Sequence, residues 1–210
     1  MGAPLYFSLV AVLIGSLASA QERQFGTAEW QALVPVASSR QWFVKIGVAF
    51  FLALAFFATA IVFARLTLPP GDGPSARALL LLGVGLVLWT SAGLYASSLS
   101  TSGVRALALS LVLLLAMTFV VPLIGRVEWW VIDLIAAPDW PVYAAMAFAH
   151  PSVNALTQAL IAGLVILLLR LAFTNHRSAE TGAARVWRQS ALLVGYIAVA
   201  LMINGLVRLG

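Results

Sequence analysis

Long apolar blocks alternate with short polar breaks along the whole chain. A helix needs about 20 mostly apolar residues to cross the hydrocarbon core of a bilayer, and six blocks approach or reach that length. Ser38 or Ser39 is placed to cap the second of them. The pattern predicts an all-α, polytopic transmembrane helical bundle in one domain, residues 1–210. The six predicted spans are Pro4–Ala20, Val44–Ala64, Ala78–Ser98, Ala106–Ile124, Val153–Phe173 and Ser190–Val207.

Residues 126–150 differ from the six spans because they are polar at their start and are interrupted by proline. They also hold Trp129, Trp130, Trp140 and Tyr143. Tryptophan and tyrosine favour the headgroup level of a bilayer. We therefore expect an interfacial or re-entrant element on the outer side of the membrane.

The first block also resembles a secretory signal peptide, because it ends in the small residues Ala18, Ser19 and Ala20. A signal peptide normally carries positive charge before its apolar region, and this block has no Lys or Arg there. The missing charge favours a retained membrane helix, with cleavage as the alternative.

Composition agrees with the hydropathy pattern. The chain is 62% hydrophobic and 9% charged, with a mean hydropathy of +1.02, whereas soluble domains carry about 25% charged residues. It contains no cysteine, which excludes a disulfide, a thiolate metal site and a cysteine nucleophile. The net charge of +5 comes from basic residues placed singly near helix ends, which favours a role in topology over nucleic-acid binding.

Basic residues divide unequally between alternate loops, and short cytoplasmic loops are enriched in Lys and Arg. If the loop after the first span is cytoplasmic, that side has eight basic residues and the outer side has four. The predicted cytoplasmic group is Arg23, Arg40, Lys45, Arg105, Arg170, Arg177, Arg185 and Arg188, and the outer group is Arg65, Arg77, Arg126 and Arg208.

The most informative polar break is the segment of residues 21–41. Gly26 ends the preceding helix, Thr27 can cap a new one, and Glu29 is favourable in a first helical turn. Pro35 then closes the new helix. The pattern predicts a short amphipathic helix on the cytoplasmic surface, joined to a spanning helix on each side.

This segment resembles the coupling helix of the type-2 ATP-binding-cassette (ABC) transporter permeases. The downstream order of helices, serine-rich turn (residues 97–102) and re-entrant element is similar to that family too, and the likeness covers roughly residues 1–173. The matching positions are Glu22-Arg23, Gly26-Thr27, Glu29, Leu33-Val34-Pro35-Val36 and Lys45.

The resemblance implies the membrane-spanning permease subunit of an ATP-driven exporter in the inner membrane of a prokaryotic cell. Its partners would be a separate ABC ATPase subunit, a second permease copy or homologue, and lipid, with no nucleic acid. The expected ATPase-coupling contact is Glu22, Gly26, Thr27, Glu29 and Pro35.

Two features depart from the family pattern. Family members usually have one helix more before the coupling segment, so we expect a truncated or mis-assigned start, or a partial permease. Ser190–Val207 adds a helix after the end of the family core.

Motifs for chemistry are missing from the chain. It has no G-x-x-x-x-G-K-[ST] phosphate loop, so ATP is expected on the partner and no cofactor on this chain. His150 and His176 are predicted on opposite sides of the membrane, which disfavours a metal site. The chain is therefore expected not to be an enzyme itself.

Two alternatives stay open. One is a non-transporting membrane scaffold or assembly subunit. The other is an intramembrane enzyme that uses His150 and Asn154, which are four residues apart and can share a helix face. An ordinary interfacial histidine before Pro151 explains the same pair.

Polar and small residues inside the spans are predicted to serve packing. Helix-to-helix hydrogen bonds are expected for most of the polar ones, and close backbone approach for the glycines. The polar positions are Thr90, Ser91, Ser110, Thr118, Asn154, Thr157, Gln158 and Asn204, and the glycines are Gly83, Gly85, Gly93 and Gly163.

Overall fold

The computed structural model describes residues 2–24, 36–69, 75–100, 102–115, 151–177 and 183–209, and its regular structure over these residues is helical. Six helices are present in the described part of the chain. They are α1 (Gly2–Gln24), α2 (Ser38–Thr67), α3 (Ala76–Leu99), α4 (Gly103–Leu115), α5 (Pro151–His176) and α6 (Ala183–Leu209).

Four of these helices are long and apolar enough to cross a membrane, namely Ser38–Thr67, Ala78–Leu99, Ala155–His176 and Ala184–Ile203. The apolar stretches Tyr6–Leu17 of α1 and Gly103–Leu115 are shorter. The described part of the chain is thus all-helical, and the protein is an integral membrane protein. The prediction that the first and fourth blocks also span stays a prediction, and the outer element at residues 126–150 lies outside the described residues.

Apart from α4, the helices begin before and end after the predicted apolar spans. α2 has 30 residues, a length of about 45 Å at 1.5 Å per residue, against about 30 Å of hydrocarbon. Its N-cap is Ala37, which makes no side-chain capping bond, so the prediction that Ser38 or Ser39 caps this helix is wrong. The Gln41 side chain, in the first turn, donates from Nε2 to the Val36 carbonyl oxygen at 3.3 Å.

The chain divides into two compact units. Unit 1 comprises Met1–Leu114 and Leu168–Thr181, and unit 2 comprises Leu115–Leu167 and Gly182–Gly210. Unit 1 therefore contains α1, α2, α3, nearly all of α4 and the last part of α5.

Unit 1 is organised by the packing of α1 against α3, the most extensive helix interface among its described residues. The backbones meet at Gly15 and Gly93. A Cβ atom added to Gly93 would lie 2.5 Å from the Val12 carbonyl oxygen and 3.0 Å from Gly15 Cα. A Cβ added to Gly15 would collide with the Thr90 carbonyl oxygen. Glycine is required at both positions because the opposing atoms belong to the backbone.

Helix α2 packs on this pair less extensively, through alanines and through aromatic rings. Ala11 of α1, Ala53 of α2 and Leu86 of α3 form a buried cluster, with partly buried neighbours around it. Near it, the Phe7 ring lies 5.7 Å from that of Phe56. Most of the α2 surface is exposed and apolar, as at Phe51 and Phe63. In a membrane this surface faces acyl chains or another protein.

Within unit 2, α6 is attached to α5 through Tyr196. The Tyr196 hydroxyl donates to the Leu160 carbonyl oxygen at 2.7 Å. The ring tip occupies the space above Gly163, where an added Cβ would overlap the hydroxyl oxygen. Close approach is thus confirmed at Gly93 and Gly163. Gly83, by contrast, has no atom within 4 Å of an added Cβ.

The buried hydroxyls correct one expectation. Ser91 donates to the Val87 carbonyl oxygen at 2.8 Å, and Ser110 donates to that of Ala106 at 2.7 Å. Both bonds lie within one helix, so the predicted helix-to-helix hydrogen bonds are wrong for these two residues. A serine can satisfy its hydroxyl on the preceding turn of its own helix.

Candidate functional site

The candidate site lies at the end of unit 1 where α2 begins and where α3 and α5 end. Trp42, in the second turn of α2, is 3% exposed. Its ring stacks on His176 with centroids 5.3 Å apart and planes 29° apart, and it lies 6.2 Å from Phe173. We call Trp42, Phe173 and His176 the Trp42 stack. The Arg177 guanidinium carbon is 5.7 Å from the Phe173 centroid, within cation–π range.

The end of α5 is also held by a buried hydrogen bond to α3. Asn175 Nδ2 donates to Ser98 Oγ at 3.1 Å, and the two residues are 0% and 1% exposed. Ser98 Oγ in turn donates to the Tyr95 carbonyl oxygen at 2.6 Å. A hydroxyl can donate one hydrogen bond and accept another, so these two bonds satisfy the Ser98 hydroxyl as donor and as acceptor.

Polar residues cluster around this bond. Ser97 is 0% exposed and Ser100 is 6% exposed, and Ser100 Oγ donates to the Ala96 carbonyl oxygen at 2.9 Å. The serine-rich turn predicted over residues 97–102 overlaps the end of α3, which contains Ser97 and Ser98 and runs to Leu99. The helix thus ends one residue beyond the predicted span Ala78–Ser98, and both serines are buried in unit 1.

These contacts bring together helix ends that the predicted topology places on the same side of the membrane. The start of α2 and the ends of α3 and α5 lie together, and the basic residues Arg40, Lys45, Arg105 and Arg177 belong to this end. Arg65 and Arg77 lie at the opposite ends of α2 and α3.

One of the five predicted coupling residues, Glu22, lies within the described residues. Glu22 lies in the last turn of α1, which extends to Gln24 rather than ending at Ala20. Gly26, Thr27, Glu29 and Pro35 lie outside the described residues, so their contact stays a prediction. The described chain resumes at Val36, immediately before α2.

Sequence reasoning missed Trp42, Asn175 and His176. Their position in the sequence could have identified them, since each is an aromatic or hydrogen-bonding residue within two turns of a helix end. Of the pair considered for catalysis, His150 lies outside the described residues and Asn154 lies in the first turn of α5. Among the described residues, no group of three His, Cys, Asp or Glu is placed to hold a metal ion.

Breaking the bond between Asn175 and Ser98 is expected to have a small, measurable effect. Hydrogen bonds between membrane helices average about 0.6 kcal/mol. The single variants Asn175→Ala and Ser98→Ala, together with the double variant, should give a coupling energy of about that size in a double-mutant cycle. Reversible unfolding in mixed detergent micelles measures it. Strict additivity of the two single effects would show that the bond contributes nothing.

No protein-family model matches the chain, and no curated protein or solved structure matches it.

Proposed function

We propose that this protein is the membrane-spanning permease subunit of an ATP-driven exporter of the type-2 ABC class. In this proposal a separate ABC ATPase binds the segment between α1 and α2, and a second permease copy or a homologue completes the pathway. The chain would reside in the inner membrane of a prokaryotic cell. The site end of unit 1 would face the cytoplasm, because its basic residues outnumber those at the other end.

The observation that carries the proposal is where the coupling-like segment joins the bundle. Residues 25–35 connect α1 to α2, and α2 starts at the Trp42 stack. A force on this segment acts directly on α1 and α2. Because α1 packs on α3 and the start of α2 packs on α5, the force reaches four helices through the described contacts.

The proposed contact would use Glu22, Gly26, Thr27, Glu29 and Pro35 to bind the ATPase. The short helix that the sequence predicts here would be joined to a membrane helix on each side, an arrangement suited to transmit closure of an ATPase pair. The chain itself has no phosphate loop, so the energy would arrive mechanically through this segment.

An affinity pull-down from native cells tests the proposal. The tagged, detergent-solubilised protein is expected to recover an ABC ATPase, and Gly26→Val and Glu29→Ala should abolish that recovery without lowering the amount of inserted protein. Gly47→Ala is the matched control, because an added Cβ at this α2 position meets no atom within 4 Å. It should retain full recovery.

Two outcomes would contradict the proposal. Failure of the unaltered protein to recover an ATPase under gentle conditions would remove the permease assignment and favour the scaffold or enzyme alternative. Equal recovery with Gly26→Val and Glu29→Ala would instead show that the ATPase binds elsewhere on this chain.

A further inference from the structure

Trp42 is buried in the protein, whereas a tryptophan near a membrane interface is normally exposed to lipid headgroups. It lies in the second turn of α2, seven residues after Pro35. Tryptophan at a membrane interface usually keeps part of its ring among lipid headgroups. Here the side chain is 3% exposed and its ring lies against α5. Protein contacts therefore fix the position of Trp42.

The other buried residues of α2 are small. Ala49 and Ala53 are 2% and 0% exposed, and the Phe56 ring of the same helix lies against Phe7 of α1. A stacked indole ring is a large, stiff contact with two side-chain torsions. The Trp42 stack is thus the place in unit 1 where a displacement of the start of α2 is passed on to α5.

The receiving end of α5 is held on its other side. Asn175 is hydrogen-bonded to Ser98 of α3 in a buried position. Residues 173–176 therefore contact α2 through two aromatic rings and α3 through one amide. The Asn175 bond ties the same end of α5 to α3, so a movement that enters through Trp42 acts on an α5 end that is also attached to α3.

From this geometry we infer that Trp42 is a positioning residue that transmits movement of the segment 25–35 from the start of α2 to the end of α5. The inference rests on the proposed function, because the movement is supplied by the ATPase partner. Trp42 contacts neither substrate nor ATP in this role. It acts through Phe173 and His176.

Single-cysteine reporters can test the inference, since the chain has no cysteine of its own. Ser39→Cys reports on the first turn of α2, upstream of Trp42, and Thr174→Cys reports on α5, downstream of it. Both positions are exposed. Their maleimide labelling rates are measured in the complex with its ATPase, without nucleotide and with a non-hydrolysable ATP analogue.

We expect the analogue to change the labelling rate at both reporters in the otherwise unaltered protein. With Trp42→Ala, the change at Ser39→Cys should persist and the change at Thr174→Cys should be lost. His176→Ala should act in the same way, and it serves as the second variant if Trp42→Ala reduces insertion. Trp42→Phe and His176→Phe keep an aromatic contact and should restore the response on α5.

The matched control is Trp187→Ala, which removes the same side chain from a position that is 76% exposed on α6. It should leave both responses intact. A response at Thr174→Cys that survives Trp42→Ala and His176→Ala would overturn the inference while leaving the permease proposal standing. If neither reporter responds in the unaltered complex, or no ATPase complex forms, the proposed function fails and the inference fails with it.

Discussion

Gly93→Ala is expected to lower the free energy of unfolding by about 2 kcal/mol, the middle of the range for overpacked cores. The new methyl carbon would lie 2.5 Å from the Val12 carbonyl oxygen and 3.0 Å from Gly15 Cα. Both are backbone atoms, so α1 and α3 must separate along their interface. Gly15→Ala should have a similar cost, since its methyl group would collide with the Thr90 carbonyl oxygen.

A control on the same helix separates this clash from the general effect of adding a methyl group. Gly83→Ala meets nothing within 4 Å, and alanine favours a helix over glycine by about 1 kcal/mol. This variant should be neutral or more stable. Reversible unfolding in mixed micelles measures all three variants, and equal stability of Gly83→Ala and Gly93→Ala would contradict the backbone contact.

Thr90→Val is expected to raise the free energy of unfolding by about 1 kcal/mol. Thr90 is 0% exposed, and its hydroxyl oxygen has no hydrogen-bond partner among the described residues. A buried hydroxyl without a partner costs free energy, and valine has nearly the same shape without the polar atom. The gain should appear as a higher detergent denaturation midpoint.

The neighbouring residue provides the control for Thr90. Ser91 is equally buried, but its hydroxyl donates to the Val87 carbonyl oxygen at 2.8 Å. Ser91→Ala removes a satisfied group and should bring no gain comparable with that of Thr90→Val. A loss of stability in Thr90→Val would show that the hydroxyl has a partner that stabilises the fold.

The close contacts in the two units differ in the kind of atom that a new methyl group would meet, which is a side-chain atom in unit 2 and backbone atoms in unit 1. At Gly163 the obstacle to a methyl group is the Tyr196 hydroxyl, the far end of a side chain. Rotation of Tyr196 can relieve that overlap at the cost of its bond to the Leu160 carbonyl oxygen. At Gly15 and Gly93 no side chain can rotate away. The α1–α3 crossing is therefore the more demanding of these contacts.

The hydropathy pattern was sufficient to predict the helical class and the approximate places of the long helices. Val44–Ala64 lies inside α2, Ala78–Ser98 inside α3, and Val153–Phe173 inside α5. Their exact ends were missed because polar residues such as Gln41 and Asn175 continue a helix when its packing satisfies them. The length of an apolar segment reflects the thickness of the hydrocarbon core, whereas the full length of the helix also depends on contacts that its polar ends make outside that core.

The sequence by itself determined that this is a helical membrane protein, because long apolar segments must satisfy their backbone hydrogen bonds internally in lipid. It also contains, in and after the last turn of α1, the residues on which the resemblance to a coupling helix rests. Only the tertiary structure decided that Gly15 meets Gly93, that Trp42 stacks on His176 and that Asn175 bonds to Ser98. These helices are apolar on every face, so hydrophobic periodicity does not distinguish a packed face from a lipid-facing one. The shapes and hydrogen bonds of the assembled helices make that choice.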